Sequence, residues 1–266
     1  MRHIDLNILF SEIFADERGK KVKACIVKAH KKSAGMPIAE RKPHSERNGP
    51  KKWTPVKHLA TSVLGNKCWY TEVELIGAPL AVDHYRPACD YWWLVYDPEN
   101  YRIACAWANS PEHNSIHGCA CGKGQQFPLL APGIRATGKR KLRIEKPVIL
   151  DPCVAKDCEL LAFQADGRPV LNPKFTGDAT ARYRVEQSKI LLNLDHPELN
   201  SKREQLCADI DADVRTYVAI KSSGPEQITI KNRLAARLDP KAPYSVAARF
   251  YLSLHRHLMW VQDILD

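Results

Sequence analysis

Long apolar runs are missing from this 266-residue sequence. None approaches the ~18 consecutive apolar residues of a membrane-crossing helix, so no membrane association is expected. Methionine is scarce (3), and glycine (13) and proline (18) are too few for a collagen-like or low-complexity chain. The opening Met1-Arg2-His3-Ile4-Asp5 has an early acid and no apolar stretch, so no secretory signal is expected. Cysteine is present but in an odd number, nine, and in a chain too long to need a small disulfide framework. A reduced, cytoplasmic protein is the simplest reading.

With 44% hydrophobic and 26% charged residues, the chain has the composition of one large domain or two modest ones. The net charge of +10 is uneven: residues 1–58 hold 14 Lys/Arg against 6 Asp/Glu, a net of +8. A second basic cluster is Lys139-Arg140-Lys141-Leu142-Arg143. Basic segments of this kind draw polyanions by counterion release, which suits a nucleic-acid partner. The alternative is a solvated, mobile arm.

Three regions follow from the patterning. In 1–58, residues 4–14 space their apolar side chains as a short amphipathic helix. The Lys-, Arg-, Pro- and Gly-rich stretch from Lys31 to Pro55 reads as a linker or extended arm. Region 59–150 holds most of the Trp and Cys, with β-like runs at Leu80-Ala81-Val82 and Tyr101-Arg102-Ile103-Ala104. Region 151–266 is helical in pattern. Asp195 and Glu198 are spaced as a capping box there, and Pro243-Tyr244-Ser245 opens a last helix. The run Tyr91-Trp92-Trp93-Leu94-Val95-Tyr96 reads as core rather than as a stacking surface for bases.

The chemistry lies between residues 66 and 130. Asp83-His84 closes one strand, Asn100 heads a second, and a helix then starts beside Cys105 and carries Asn109, followed later by Lys123-Gly124 and Phe127-Pro128. This order resembles the HNH endonuclease motif, a β-β-α arrangement around one divalent metal ion. The resemblance extends through Leu150-Asp151-Pro152, Phe163 to Gly167, Leu191-Leu192-Asn193-Leu194 with Arg203, and Pro243-Tyr244-Ser245. Over roughly residues 60–255 the chain is similar to the HNH nuclease subunit of Septu-type antiphage systems, including retron-associated forms. The basic N-terminal region lies outside that similarity.

The resemblance implies an α+β fold, a ββα-metal core embedded in a mainly helical body. It implies a metal-dependent endonuclease, with DNA favoured and RNA or transfer RNA open, acting as the effector of a prokaryotic defence system. An ATPase subunit would be its partner, and in retron-associated forms a reverse transcriptase with its RNA/DNA. The residue types suit the chemistry. His84 titrates near working pH and is the candidate general base. Asn100 is the candidate that fixes the imidazole. Asp83 and Asn109 offer two oxygen ligands, which with water and phosphate suit Mg²⁺ or Mn²⁺. Arg86 and Lys123 are candidate nucleic-acid contacts, with plain solvated surface as the alternative for Lys123.

Many members of the family it resembles carry two Cys-x-x-Cys knuckles around a structural zinc. Here Thr71 follows Cys68 and Ala108 follows Cys105 where the second cysteines would stand. Two thiolates do not close a tetrahedral site, so buried free cysteines are expected in place of structural zinc. The insertion from Ser110 to Gly122 brings His113, His117, Cys119 and Cys121. It leaves open a zinc site rebuilt with Cys68 and Cys105, or a histidine joining the Mg²⁺ site. The rival class for the whole chain is a non-catalytic module, binding nucleic acid or a partner protein through a vestigial HNH site.

Overall fold

The structure, a computed structural model, describes residues 1–74, 79–220 and 224–266. Four helices open the chain: α1 (Leu6–Ile13), α2 (Glu17–Ala34), α3 (Ile38–Asn48) and α4 (Pro50–Leu64). Asp5 caps α1 by accepting from the N–H groups of Asn7 and Ile8, and Asp16 caps α2 by accepting from Gly19. The stretch from Lys31 to Pro55 is therefore helical, not a linker or extended arm. Its prolines do not break the helices. Pro50 stands in the first turn of α4, where a missing N–H costs nothing. Pro43 and Pro55 lie inside their helices, at a cost of about 3 kcal/mol each in isolation. Packing offsets that cost: Ile26 and Ala29 of α2 and Val56 and Ala60 of α4 are buried where the two helices meet.

The central region is built on an antiparallel pair, β1 (Ala81–His84) and β2 (Tyr101–Ala104), with Asp83 opposite Arg102 and His84 opposite Tyr101. All four β2 residues are buried. The short helix α5 (Ala106–Asn109) follows, then a small hairpin of β3 (Glu112–Asn114) and β4 (Cys119–Cys121). In the connection between β1 and β2, Tyr91, Leu94, Val95 and Tyr96 are buried, so most of the aromatic run is core. Trp92 is half-buried beneath the guanidinium of Arg41, 3.6 Å from its ring.

Beyond residue 150 come α6 (Ala155–Glu159), a pair of strands β5 (Leu161–Phe163) and β6 (Pro169–Leu171), and five further helices. These are α7 (Ala179–Leu191), α8 (Pro197–Ala219), α9 (Pro225–Leu238), α10 (Ser245–Ser253) and α11 (Met259–Leu265). The residue that caps α8 is His196, whose Nδ1 accepts from Glu198 N–H, rather than Asp195. Asp195 is buried and paired with His117 instead, a tertiary partner that outcompetes the local one. The fold is thus mixed α and β, mainly helical with three two-stranded antiparallel sheets among the described residues. One apolar cluster runs from Leu9 of α1 through β2 to Leu265 of α11, so residues 1–58 share the core of the rest. No helix among the described residues is long and apolar enough to cross a membrane.

Candidate active site

Asp83 and His84 are adjacent in β1, where successive side chains point to opposite faces. Because the strand ends at His84, both nevertheless line one cavity of about 280 Å³, together with Asn109 from α5. The imidazole is held on three sides. Its Nε2 lies 2.9 Å from the carbonyl oxygen of Val95, which can only accept, so Nε2 carries the proton and Nδ1 keeps its lone pair. The rings of Trp53 and Tyr101 pack edge-to-face against it, with centroids 4.8 and 5.2 Å away. The Tyr101 hydroxyl donates to the same Val95 oxygen at 2.9 Å. Burial holds the imidazole below the ordinary histidine value; the Val95 contact and the Asp83 charge oppose this, while Lys123 adds to it.

Asp83 is buried with both oxygens engaged: Oδ1 accepts from Lys123 Nζ at 2.7 Å and Oδ2 from the Tyr70 hydroxyl at 2.6 Å. Lys123 also donates to the His84 carbonyl at 2.8 Å, and only 1% of its surface is exposed. It is therefore neither solvated surface nor a free phosphate contact. The insertion does not carry it away from the motif, because β3 and β4 return the chain to where α5 left it. Lys123 N–H donates to Ala108 and Gly124 N–H to Asn109. Gly122, with φ +111°, is the closure point: a Cβ there would lie 2.1 Å from the Ser110 oxygen.

Two further expectations are corrected. Asn100 does not reach the imidazole: its Oδ1 accepts from Arg86 N–H and its Nδ2 donates to the Arg86 carbonyl, both at 2.9 Å. It pins the turn after His84, while a backbone carbonyl orients the ring. Arg86 is consumed by an ion pair with the buried Glu145 at 2.7 Å and lies against the rings of Tyr85 and Phe127, so it does not reach outward for nucleic acid.

Whether a divalent ion fits can be judged from the donors. Asp83 supplies a carboxylate whose oxygens each accept one hydrogen bond and so keep a lone pair. Asn109 is anchored by its backbone and lines the same cavity with its side chain half-buried. This oxygen-only pair fits a hard cation that keeps most of its water. Among the described residues no three His, Cys, Asp or Glu side chains group as a metal site. Cys105 is buried with Thr71, whose hydroxyl lies 3.7 Å from its sulfur, and Cys68 is fully buried too. Cys119 and Cys121 sit together on β4, His117 is taken by Asp195, and His113 is exposed on β3.

Several site residues escaped the sequence reading. Trp53 and Lys42 come from the N-terminal helices and line the His84 cavity. One signal for Trp53 was Gly49, four residues earlier, where a Cβ would lie 2.0 Å from the Trp53 ring. The Val95 carbonyl has no sequence signature at all. Compared with known proteins, the chain matches no protein-family model and no curated protein.

Proposed function

We propose that the chain is a metal-dependent endonuclease of the HNH type, hydrolysing phosphodiester bonds. The observation that carries this is the His84 cavity: Asp83, His84 and Asn109, candidates from the sequence, line one opening, and the imidazole is tethered through Nε2, with no hydrogen bond to Nδ1 among the described residues. His84 Nδ1 would take a proton from the attacking water. Neutrality at working pH, favoured by burial, suits that role. Asp83 and Asn109 would hold Mg²⁺ or Mn²⁺, which when bound supplies positive charge to the phosphate oxygens. Asn100 keeps the turn after His84 in place, and Lys42 on the cavity wall offers a cation to the substrate backbone. Water oxygen bonds to the phosphorus as the P–O3′ bond breaks and the departing 3′ oxygen takes a proton, which leaves a 5′-phosphate and a 3′-hydroxyl.

The wider role rests on the sequence resemblance: an antiphage effector restrained by an ATPase subunit, in retron-associated forms with a reverse transcriptase and its nucleic acid. DNA is the favoured substrate and RNA the alternative, since the site's residues address phosphate rather than base edges. One observation favours a second reading, a binding module with a vestigial centre. Asp83 is already neutralised by Lys123 and hydrogen-bonded by Tyr70. Cleavage of plasmid DNA and of RNA with Mg²⁺, by the native chain and by His84→Ala, separates the two. Loss of the base should lower the rate by about two to four orders of magnitude while nucleic-acid binding survives. Equal rates for both proteins, or none for either, would favour the vestigial reading.

A further inference from the structure

The His84 cavity does not end at the candidate centre. It shares Lys42, Ser45, Ala88, Cys89 and Val95 with a smaller one, of about 170 Å³. The two therefore form one groove between α3 and the segment that follows β1. Asp83 is buried and His84 half-buried at one end, so a phosphate meets them only inside the groove. A strand whose phosphate sits there must continue, and the smaller cavity gives it a path. Among the described residues no carboxylate lines that stretch, whereas Arg41 and Lys42 both do.

What separates this stretch from a merely basic surface is how Arg41 is held. Its Nε donates to the Met36 carbonyl at 3.0 Å and its Nη2 to the Ala34 carbonyl at 3.1 Å. The guanidinium lies over the Trp92 ring, 3.6 Å from the centroid. Two hydrogen bonds and one stacked face thus fix its plane in the wall of the groove. A loose arginine loses side-chain entropy on binding, and a fixed one loses less. Unpaired bases stack on such guanidinium planes. Lys42, the next residue of α3, is held only by an exposed ion pair with Glu46 at 3.9 Å, which is worth little in water. Its ammonium is left for a phosphate.

We propose that the α3 side of this groove is the subsite for an unpaired nucleotide beside the scissile phosphate. The base stacks on Arg41, the next phosphate meets Lys42, and the substrate strand is single or locally unpaired. The inference rests on the nuclease reading, which puts the scissile phosphate at His84. A duplex keeps its bases stacked on one another and offers no free base plane to Arg41. Arg41 is thus a positioning residue: it holds the strand on which His84 acts.

Fluorescence anisotropy in EDTA, on the full chain carrying His84→Ala, separates the subsite from the chemistry. The probes are a short single-stranded oligodeoxynucleotide, the RNA of the same sequence, and the DNA strand annealed to its complement. One of the single strands should bind at least about tenfold tighter than the duplex. Adding Arg41→Ala should weaken that binding about tenfold. Arg41→Lys, which keeps the charge but not the plane, should not restore it. Lys42→Gln should flatten the salt dependence by about one phosphate contact. With Mg²⁺ and His84 in place, Arg41→Ala should raise KM about tenfold and leave kcat within about twofold. Duplex bound as tightly as both single strands, or full recovery by Arg41→Lys, would overturn the proposal. Single-strand binding of the expected kind with no cleavage of any probe would overturn the nuclease reading instead, and leave the occupant of the groove as assigned.

Discussion

Two buried cations brace the β1–β2 hairpin, and they are held in different ways. Arg102, opposite Asp83 in register, sets Nε and Nη2 on the two oxygens of Asp151, each at 2.7 Å. Its remaining nitrogen donates to the carbonyls of Glu99 and Tyr101. Lys123 meets one oxygen of Asp83 and one backbone carbonyl. The guanidinium fork uses both acceptor oxygens of its partner and fixes an angle as well as a distance. An ammonium is a point charge on a flexible stem, and another cation can take its place beside the same carboxylate. The difference separates architecture from exchangeable charge: Arg102–Asp151 ties the hairpin to the segment before α6, while Lys123–Asp83 balances charge at the candidate centre.

The largest effect should come from breaking the fork. Arg102→Met leaves Asp151 buried and unpaired, which should cost about 3–5 kcal/mol and lower the melting temperature by roughly 10 °C. Added Mg²⁺ should not restore it. Lys123→Met should destabilise next most, leaving Asp83 with only the Tyr70 hydroxyl. Here millimolar Mg²⁺ should raise the melting temperature measurably above its effect on the native chain, because an ion that binds only the folded state stabilises it. Equal Mg²⁺ responses in the two variants would erase the distinction between the pairs.

Smaller effects sharpen it. Asn100→Ala removes two hydrogen bonds to Arg86 and should cost about 1–3 kcal/mol in denaturant unfolding. Its cleavage rate should fall more than its substrate affinity, since the turn it pins follows His84. The smallest change is expected from Trp53→Leu. Its ring contact with His84 is of the kind worth about 0.5–1.5 kcal/mol, so kcat should fall about threefold to tenfold with KM nearly unchanged. An unchanged kcat would mean that the Val95 tether alone orients the imidazole.

The legible parts of the site were those whose meaning is local. Asp83 and His84 at a strand end, the strand from Tyr101, and Asn109 just after Cys105 were each read from a few neighbouring residues, and they line one cavity or frame it. Helix α1 was legible too, from its apolar spacing. The misreadings share a cause. The composition of Lys31 to Pro55 reads as a linker, while the burial of α2 against α4 that makes it helical lies elsewhere in the chain. Arg86 and Lys123 read as candidate nucleic-acid contacts, but each is spent on a carboxylate. Their carboxylates stand far off in sequence, Glu145 at 59 residues and Asp83 at 40.

By itself, then, the sequence determined the short-range features: the end of β1 at His84, the apolar spacing of α1, the basic excess in residues 1–58, and the absence of a long apolar run. These follow from backbone preference and composition, which need no distant partner. Tertiary structure alone decided which acceptor each polar group took. It set Val95 rather than Asn100 on the imidazole, Arg86 on Glu145, Lys123 on Asp83, and Trp53 from the basic N-terminal helices against His84. The physical reason is desolvation: a charge or donor removed from water must be paired wherever the packed core brings an acceptor, and packing joins residues that the chain keeps apart.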